Sequence, residues 1–445
     1  RLYDGEIEVV EAVIPGETDE QVLVVAHLCH PLPSANDNAS GAAAAFEAAR
    51  ALQSLIAGER LPGPRRTIRF LWLPEMTGTF AFLAQHEGEL TKFTAGINLD
   101  MVGEDQEQTG SSWLIERPPE AAASFAPELL ARLRNELPGL KGMVDVAPSH
   151  TGIGAYPLYR QAEVPFSGGS DHYILSDPSV GVPTPMLIQW PDRFYHTSAD
   201  TPDRTDPRSL ARAGALAATY AYWVACAGAT EANWLGYEMV ARFKAQAIEA
   251  AQKAAGEALM LDDGESLART MAGLDRRLAY LHGRQKDALK TLGRIATTDC
   301  VIPDLQAEAE QALYHELAWA RSAVDLRAAE LGLEVLPSPQ PPELSEEEGQ
   351  AAGLIPARLV RGPIPLGQLL YRLDEDSQEQ WRQLLQERQD GSFYTLSALT
   401  LYWIDGTRSV LEIADMIELE TGKRDPELLL VYLRLLEQLE FIAFK

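Results

Sequence analysis

The run 24–41, VVAHLCHPLPSANDNASG, puts a histidine at the end of a hydrophobic stretch and an aspartate ten residues later, where an Ala-rich run begins. With a strand before and a helix after, His27 and Asp37 share the carboxyl edge of a sheet, where the loops of an open α/β fold converge on ligands. Three later segments bring similar side chains to a similar place. Glu75 lies just past TIRFLWLP, Asp100 near the end of GINLDMV, and His196 just beyond PMLIQW. One such placement is easily chance in an acidic chain, but four strand ends in succession form a pattern. Two imidazoles and three carboxylates suit Zn²⁺, which takes neutral nitrogen and carboxylate oxygen and leaves positions for water. Five ligands exceed the needs of one open catalytic ion. Two ions sharing one carboxylate fit better, because such a pair holds a hydroxide between its members and polarises a scissile carbonyl.

The elements that must position these groups follow from hydrophobic period. Short apolar or β-branched runs at 21–26, 67–73, 96–102 and 185–190 read as strands. Helical runs at 39–55, from 79, and at 206–227 alternate with them, as in a sheet covered by helices. From 231 to 333 strand signals vanish, and Ala, Leu, Glu, Lys and Arg at helical spacing predict a hairpin or small bundle. The Pro-rich, acidic stretch 336–350 reads as a linker. Beyond it, short helical patterns end in a Leu-rich helix and an apolar strand, an arrangement resembling a winged helix. The expected organisation is therefore a metal-binding α/β domain over 1–228, a helical region over 229–335, the linker, and a winged-helix-like domain over 351–445.

Bulk properties exclude some functions. A net charge of −27 disfavours partners bound through phosphates or anionic lipid, so neither a nucleic acid nor a membrane is expected. From residue 401 to the end, nine acidic residues against five basic ones point a winged helix toward protein contacts. Cys29, Cys226 and Cys300 are too few for a disulfide framework and suit the cytoplasm. No stretch is long and apolar enough to span a membrane, and no signal-peptide pattern is seen. The chain opens at Arg1 rather than Met, as a processed or truncated product would.

Taken together, NDNASG at 36–41, NLDMVG at 98–103, SDH at 170–172 and YHT…DT at 195–201 resemble the zinc exopeptidases that include bacterial leucyl aminopeptidases, with glutaminyl cyclases and glutamate carboxypeptidases as relatives. The resemblance implies a zinc-exopeptidase-like (phosphorylase/hydrolase-like) mixed sheet flanked by helices, and an aminopeptidase acting on a short peptide or amide. It also implies roles. Asp37 would bridge two Zn²⁺ ions, His27 and Asp100 would complete one shell, and Glu75 and His196 the other. Asp171 would lie near the substrate, and Asp200 would fix the His196 loop from behind.

Two departures qualify the likeness. Members of the family usually carry two adjacent glutamates after the second strand, a general base and then a ligand, whereas here the pair is Pro74-Glu75. Proline accepts no proton, and loss of a positioned base costs about 10²–10⁴-fold in rate. Either Glu104, His30 or Asp171 takes over, or Glu75 is itself the base, or the domain is a catalytically impaired binding or regulatory module. The second departure is H-L-C-H-P at 27–31, where the family commonly has an acidic residue two places after the histidine. It resembles a branch of aminopeptidase-like domains with winged-helix tails, sometimes linked to polysaccharide biosynthesis. Cys29 is expected to be buried and apolar in role, and His30 to reach water, substrate or a hydrogen-bond partner. The Asn38-Ala39-Ser40 sequon is not expected to be glycosylated inside this loop. The helical region and the tail are candidate surfaces for homo-oligomer contacts.

Overall fold

The computed structural model describes residues 6, 8–136, 159–296, 301–334, 336–338, 343–388 and 393–445. Cys300 and part of the expected linker, 339–342, lie outside the described residues. The chain divides into two units: Arg1–Ala122, Ala126–Ala227 and Arg361–Pro365 make the first, and Ala123–Phe125, Gly228–Val360 and Leu366–Lys445 the second.

The first unit is built on a mixed sheet of β1 (Val10–Ile14), β2 (Thr18–His27), β3 (Arg66–Leu73), β4 (Phe93–Leu99), β5 (Ser112–Glu116), β6 (Gln161–Val164) and β7 (Met186–Trp190). Their spatial order is β1-β3-β2-β4-β7-β5-β6. The central strands β3, β2, β4 and β7 are mutually parallel, so all four carboxyl ends open on one edge. Strands β1 and β5 run antiparallel to their neighbours β3 and β7. Helices α1 (Gly41–Ala57), α2 (Thr77–Gln85), α3 (Gln106–Thr109), α4 (Ala126–Glu136), α5 (His172–Leu175) and α6 (Pro207–Cys226) flank the sheet.

Residues 22–26 of β2 are fully buried, as expected of a parallel strand covered on both faces. Leu23 and Val25 join Leu71, Leu73, Phe82 and Ile174 in one core cluster. Their alternates on β2 point to the opposite face. Small side chains there, such as Ala44, Ala45 and Ala217, are fully or almost fully buried and let α1 and α6 approach closely.

Three strands escaped the sequence reading. The segments VEAVI, SWLIE and QAEV are only four or five residues long, and β1 and β6 are edge strands with part of each exposed, so their periodicity is weak. The run expected as a strand over 96–102 pairs as Phe93–Leu99, leaving Asp100 just beyond the strand.

In the second unit α7 (Ala229–Ala258), α8 (Gly264–Lys290) and α9 (Ile302–Glu330) pack on one another. They are followed by α10 (Glu346–Ala352), β8 (Pro356–Arg358), α11 (Leu366–Leu369), α12 (Glu375–Glu387), α13 (Phe393–Tyr402), α14 (Val410–Thr421), α15 (Pro426–Gln438) and β9 (Ile442–Phe444). β8 and β9 pair antiparallel. The expected linker ends early, because Ser345 and Glu348 form a capping box that starts α10. Among the described residues no helix is long and apolar enough to cross a membrane.

Candidate metal centre

The NDNASG motif works by alternation. Asn36, Asn38 and Ser40 are pegs that stitch the loop to the segment leaving β4. Asn38 donates Nδ2 to the Leu99 carbonyl at 2.9 Å and accepts the N–H of Gly41 and Met101 at Oδ1. Ser40 Oγ accepts the Val102 N–H at 2.9 Å, and Asn36 Oδ1 the Gly103 N–H at 3.1 Å. A Cβ on Gly41 would stand 2.2 Å from the Leu99 carbonyl oxygen, which is why glycine follows the serine. With its neighbours turned to the β4 loop, Asp37 is left to face the sheet edge. Its peptide bond to Asn38 is cis. Asn38 is 3% exposed, and its Nδ2, the atom a glycan would take, donates to the Leu99 carbonyl.

Four strand ends deliver the other groups. His27 ends β2, and its Nε2 lies 3.3 Å from Asp37 Oδ1, 3.2 Å from Asp100 Oδ1 and 4.0 Å from Glu75 Oε1. His196, after β7, places Nε2 3.1 Å from Asp37 Oδ2. His30 places Nε2 2.9 Å from Asp37 Oδ1. The five side chains proposed from spacing thus meet in one cluster linked through His27 and Asp37, and His30 stands with them. Met76, Met101 and His196 have φ of 56°, 56° and 53°. Non-glycine residues in that region carry strain of about 1–3 kcal/mol each, and such strain collects at functional sites.

The group has a donor set that fits a cation. Burial alone would lower the His27 imidazole, yet Asp100, Asp37 and Glu75 push it up to about 12. Burial pushes the Glu75 carboxyl up to about 7, with Asp100, Asp171 and Asp37 adding repulsion. Three carboxylates this close favour any positive charge placed among them. Among the described residues, the buried atoms without hydrogen-bond partners include Asp171 Oδ2 and His30 Nε2. Nitrogen from His27, oxygen from Asp37 and nitrogen from His30 all lie within 4.8 Å of one another, a spacing that one ion can bridge.

The remaining expected residues have other surroundings. Asp200 accepts the N–H of Asn36 at 2.7 Å and of Asp37 at 3.0 Å, so its carboxylate braces the Asp37 loop. Asp171, fully buried, accepts from the Met76 N–H at 2.7 Å and the Thr79 hydroxyl at 2.5 Å, which fixes the turn carrying Glu75. Burial pushes its carboxyl up to about 6. Glu104 lies under the Asp37 loop, accepting from Asn36 Nδ2 at 2.9 Å; burial, then Asp192, push it up to about 9. Cys29 is exposed, contrary to the expectation of burial, because β2 ends at His27 and the chain turns over the sheet edge there. Its Sγ lies 3.8 Å from His27 Nδ1 and accepts the Glu75 N–H at 3.2 Å.

A cavity of about 440 Å³ opens beside Asp37, Glu75, Asp100 and His196. Its wall follows from strand period. Met186, Ile188 and Trp190 share one face of β7, and Leu114 and Glu116 share the same face of β5. Val164 to Ser170 complete it. Tyr195 stacks on His196 at 3.7 Å and meets Trp190 edge-on at 5.0 Å. Sequence reasoning missed this wall because the alternation on β5 is only five residues long. Glu116 accepts the Ser167 N–H at 2.7 Å, the Ser167 hydroxyl at 2.9 Å and His172 Nε2 at 2.8 Å, pinning the loop 164–170.

Parts of the chain are similar to known proteins. Residues 9–221 match the model of Peptidase family M28. A Clostridium acetobutylicum protein named for polysaccharide biosynthesis and an aminopeptidase-like domain is 33% identical over 201 residues, 45% of this chain and 39% of that protein. An aminopeptidase from Aneurinibacillus sp. strain AM-1 is 21% identical with a TM-score of 0.38, over 49% of this chain and 48% of that one. A zinc aminopeptidase from Bacillus subtilis is 22% identical with a TM-score of 0.36, over 48% of each chain. A glutaminyl cyclase from Fimbriiglobus ruber is 15% identical with a TM-score of 0.36, over 48% of this chain and 74% of that one. The chain thus spans 39% of the Clostridium relative and 48% of either aminopeptidase. With His27, Asp37, Glu75, Asp100 and His196 in that order along it, the segment 9–221 is similar to Peptidase family M28.

Proposed function

We propose that the first unit is a two-zinc amide hydrolase, most specifically an aminopeptidase. The observation that carries this reading is the gathering of Asp37, Glu75 and Asp100 around His27 Nε2, with His196 Nε2 at the other oxygen of Asp37. Asp37 would be shared, His27 and Asp100 would hold one ion, and Glu75 and His196 the other. When bound, the ions supply an activated water and polarise the scissile carbonyl.

The chain's own residues do the rest. The wall of Leu114, Phe166, Met186, Ile188 and Trp190 takes an apolar side chain of a short peptide and keeps water from it. Glu75 combines proximity with a carboxyl near neutrality, so it can carry a proton as well as ligate. Asp171 holds the turn that presents it.

The test is turnover of leucyl and alanyl amides by the purified chain with added zinc. Turnover that is lost on chelation supports the reading, and none under any metal condition rejects it.

A second reading is favoured by Pro74, which stands where the family places a base. In it the domain binds without hydrolysing and serves polysaccharide biosynthesis, the context named for the Clostridium relative. Tight binding of an aminoacyl amide without turnover supports that reading. We also propose a cytoplasmic location, the domain division over 1–228, 229–335 and 351–445, and a protein-contact role for the winged-helix-like tail. Sedimentation of the whole chain against one ending at residue 335 tests the contact role.

A further inference from the structure

The structure assigns to His30 the place of a sixth protein ligand, so that three imidazoles surround the shared carboxylate of Asp37. The assignment rests on the two-zinc reading above and goes beyond its five ligands.

The local chain explains how His30 returns to the site. Strand β2 ends at His27, and the Leu28 N–H still bonds the Leu73 carbonyl at 2.9 Å, so the chain turns over the sheet edge rather than leaving it. Leu28 and Cys29 are exposed at that turn, while His30 folds inward. Its ring centroid lies 5.4 Å from that of His27 and 5.3 Å from that of His196, between the two expected histidine ligands.

The geometry fits an ion better than an ion pair. His30 Nε2 lies 2.9 Å from Asp37 Oδ1, yet this buried nitrogen makes no hydrogen bond. Its direction toward the carboxylate is therefore wrong for N–H···O, although the distance is short. His27 Nε2 approaches the same oxygen at 3.3 Å. With bonds of about 2.0–2.2 Å to nitrogen and oxygen, two ligands of one tetrahedral zinc stand roughly 3.3–3.5 Å apart. Spacings of 2.9 and 3.3 Å need only a small adjustment to accept an ion. A third imidazole makes the centre richer in nitrogen, which favours zinc, cobalt and nickel over magnesium and manganese.

The experiment uses the whole chain, stripped with a chelator and titrated with Co²⁺ while visible absorption is followed, then with Zn²⁺ in competition with a chromophoric chelator. The expected result is that His30→Ala binds at least one ion about 10–100-fold more weakly and alters the cobalt spectrum. His30→Gln, which keeps the side chain's reach but is a poor zinc ligand, should behave likewise. His30→Asp, which restores a ligating atom, should recover part of the affinity. Metal-free circular dichroism and melting should match the wild type in all three, because the His30 side chain is 21% exposed and supports no core. A wild-type cobalt spectrum and affinity in folded His30→Ala or His30→Gln would overturn the assignment and leave the two-zinc reading standing. A wild-type chain that takes up neither metal would overturn both.

Discussion

Among its described residues the first unit contains two buried meetings of histidine and carboxylate, and they are built differently. At the cavity wall one imidazole faces one carboxylate. His172 and Glu116 are both buried, and Glu116 is further satisfied by Ser167. Burial opposes the His172 charge, but Glu116 overrides it and raises the imidazole's proton affinity. At the sheet edge, Asp37, Glu75 and Asp100 crowd around His27, and His30 Nε2 stands among them without a hydrogen bond. A balanced pair pins a loop, whereas an excess of carboxylate around imidazoles prepares a place for a cation. Both use the same side chains. The difference lies in their ratio and in whether the oxygens are already occupied.

Removing one partner of the balanced pair should cost most. His172→Ala leaves Glu116 buried without its counter-charge and is expected to destabilise the first unit by about 3–5 kcal/mol. Denaturant unfolding measures this, and metal content per folded chain should not change. Loss of metal together with stability would erase the distinction between the two sites.

The acid-rich centre should respond to ions instead. Free zinc at about 1,000 times its dissociation constant should stabilise the wild type by about 4 kcal/mol. Asp37→Ala should abolish that increment and bring metal from about two per chain to none by elemental analysis, whereas His196→Ala should retain at least one ion. Equal metal content in the wild type and Asp37→Ala would remove Asp37 from its shared position.

The comparison also depends on the scaffold of the Asp37 loop. Gly41→Ala brings a methyl against the Leu99 carbonyl and Asn38 Oδ1, and overpacking of this kind costs about 1–3 kcal/mol. Zinc affinity should fall with it, although no ligand is changed.

A pH-dependent effect concerns Glu104 beneath that loop. Its carboxyl is raised from 4.5 to about 9, so the folded state keeps a proton that the unfolded chain releases. Its contribution is therefore fully present below pH 4.5 and is lost as pH rises toward 9, by up to about 1.4 kcal/mol per pH unit. Glu104→Gln should flatten that slope in pH-dependent melting. An unchanged slope would show that Glu104 is ionised in place.

Much of the site could be read before any fold was known. A histidine that ends a hydrophobic run and an acid that begins a helix are local signals, and four strand ends bearing His, Asp or Glu could be counted. The strands that carry Leu114, Glu116 and Val164 could not be, because each shows only four or five residues of alternation. Cys29 was misread for a related reason. A small sulfur side chain has no period of its own, and its exposure depends on where β2 ends. For His30 the sequence offered water, substrate or a hydrogen bond as partners, but it could not give the angle at which the ring meets Asp37.

What the sequence determined by itself was the alternating order of strands and helices and a set of candidate ligands at the strand ends and at the start of a helix. These rest on periods and capping chemistry acting over a few residues. Tertiary structure alone decided which oxygens meet which nitrogens, which carboxylates are raised by burial, and that β5 supplies the cavity wall. Those properties arise from contacts between segments as much as 164 residues apart, as between Asn36 and Asp200, and no local pattern encodes a distance across the sheet edge.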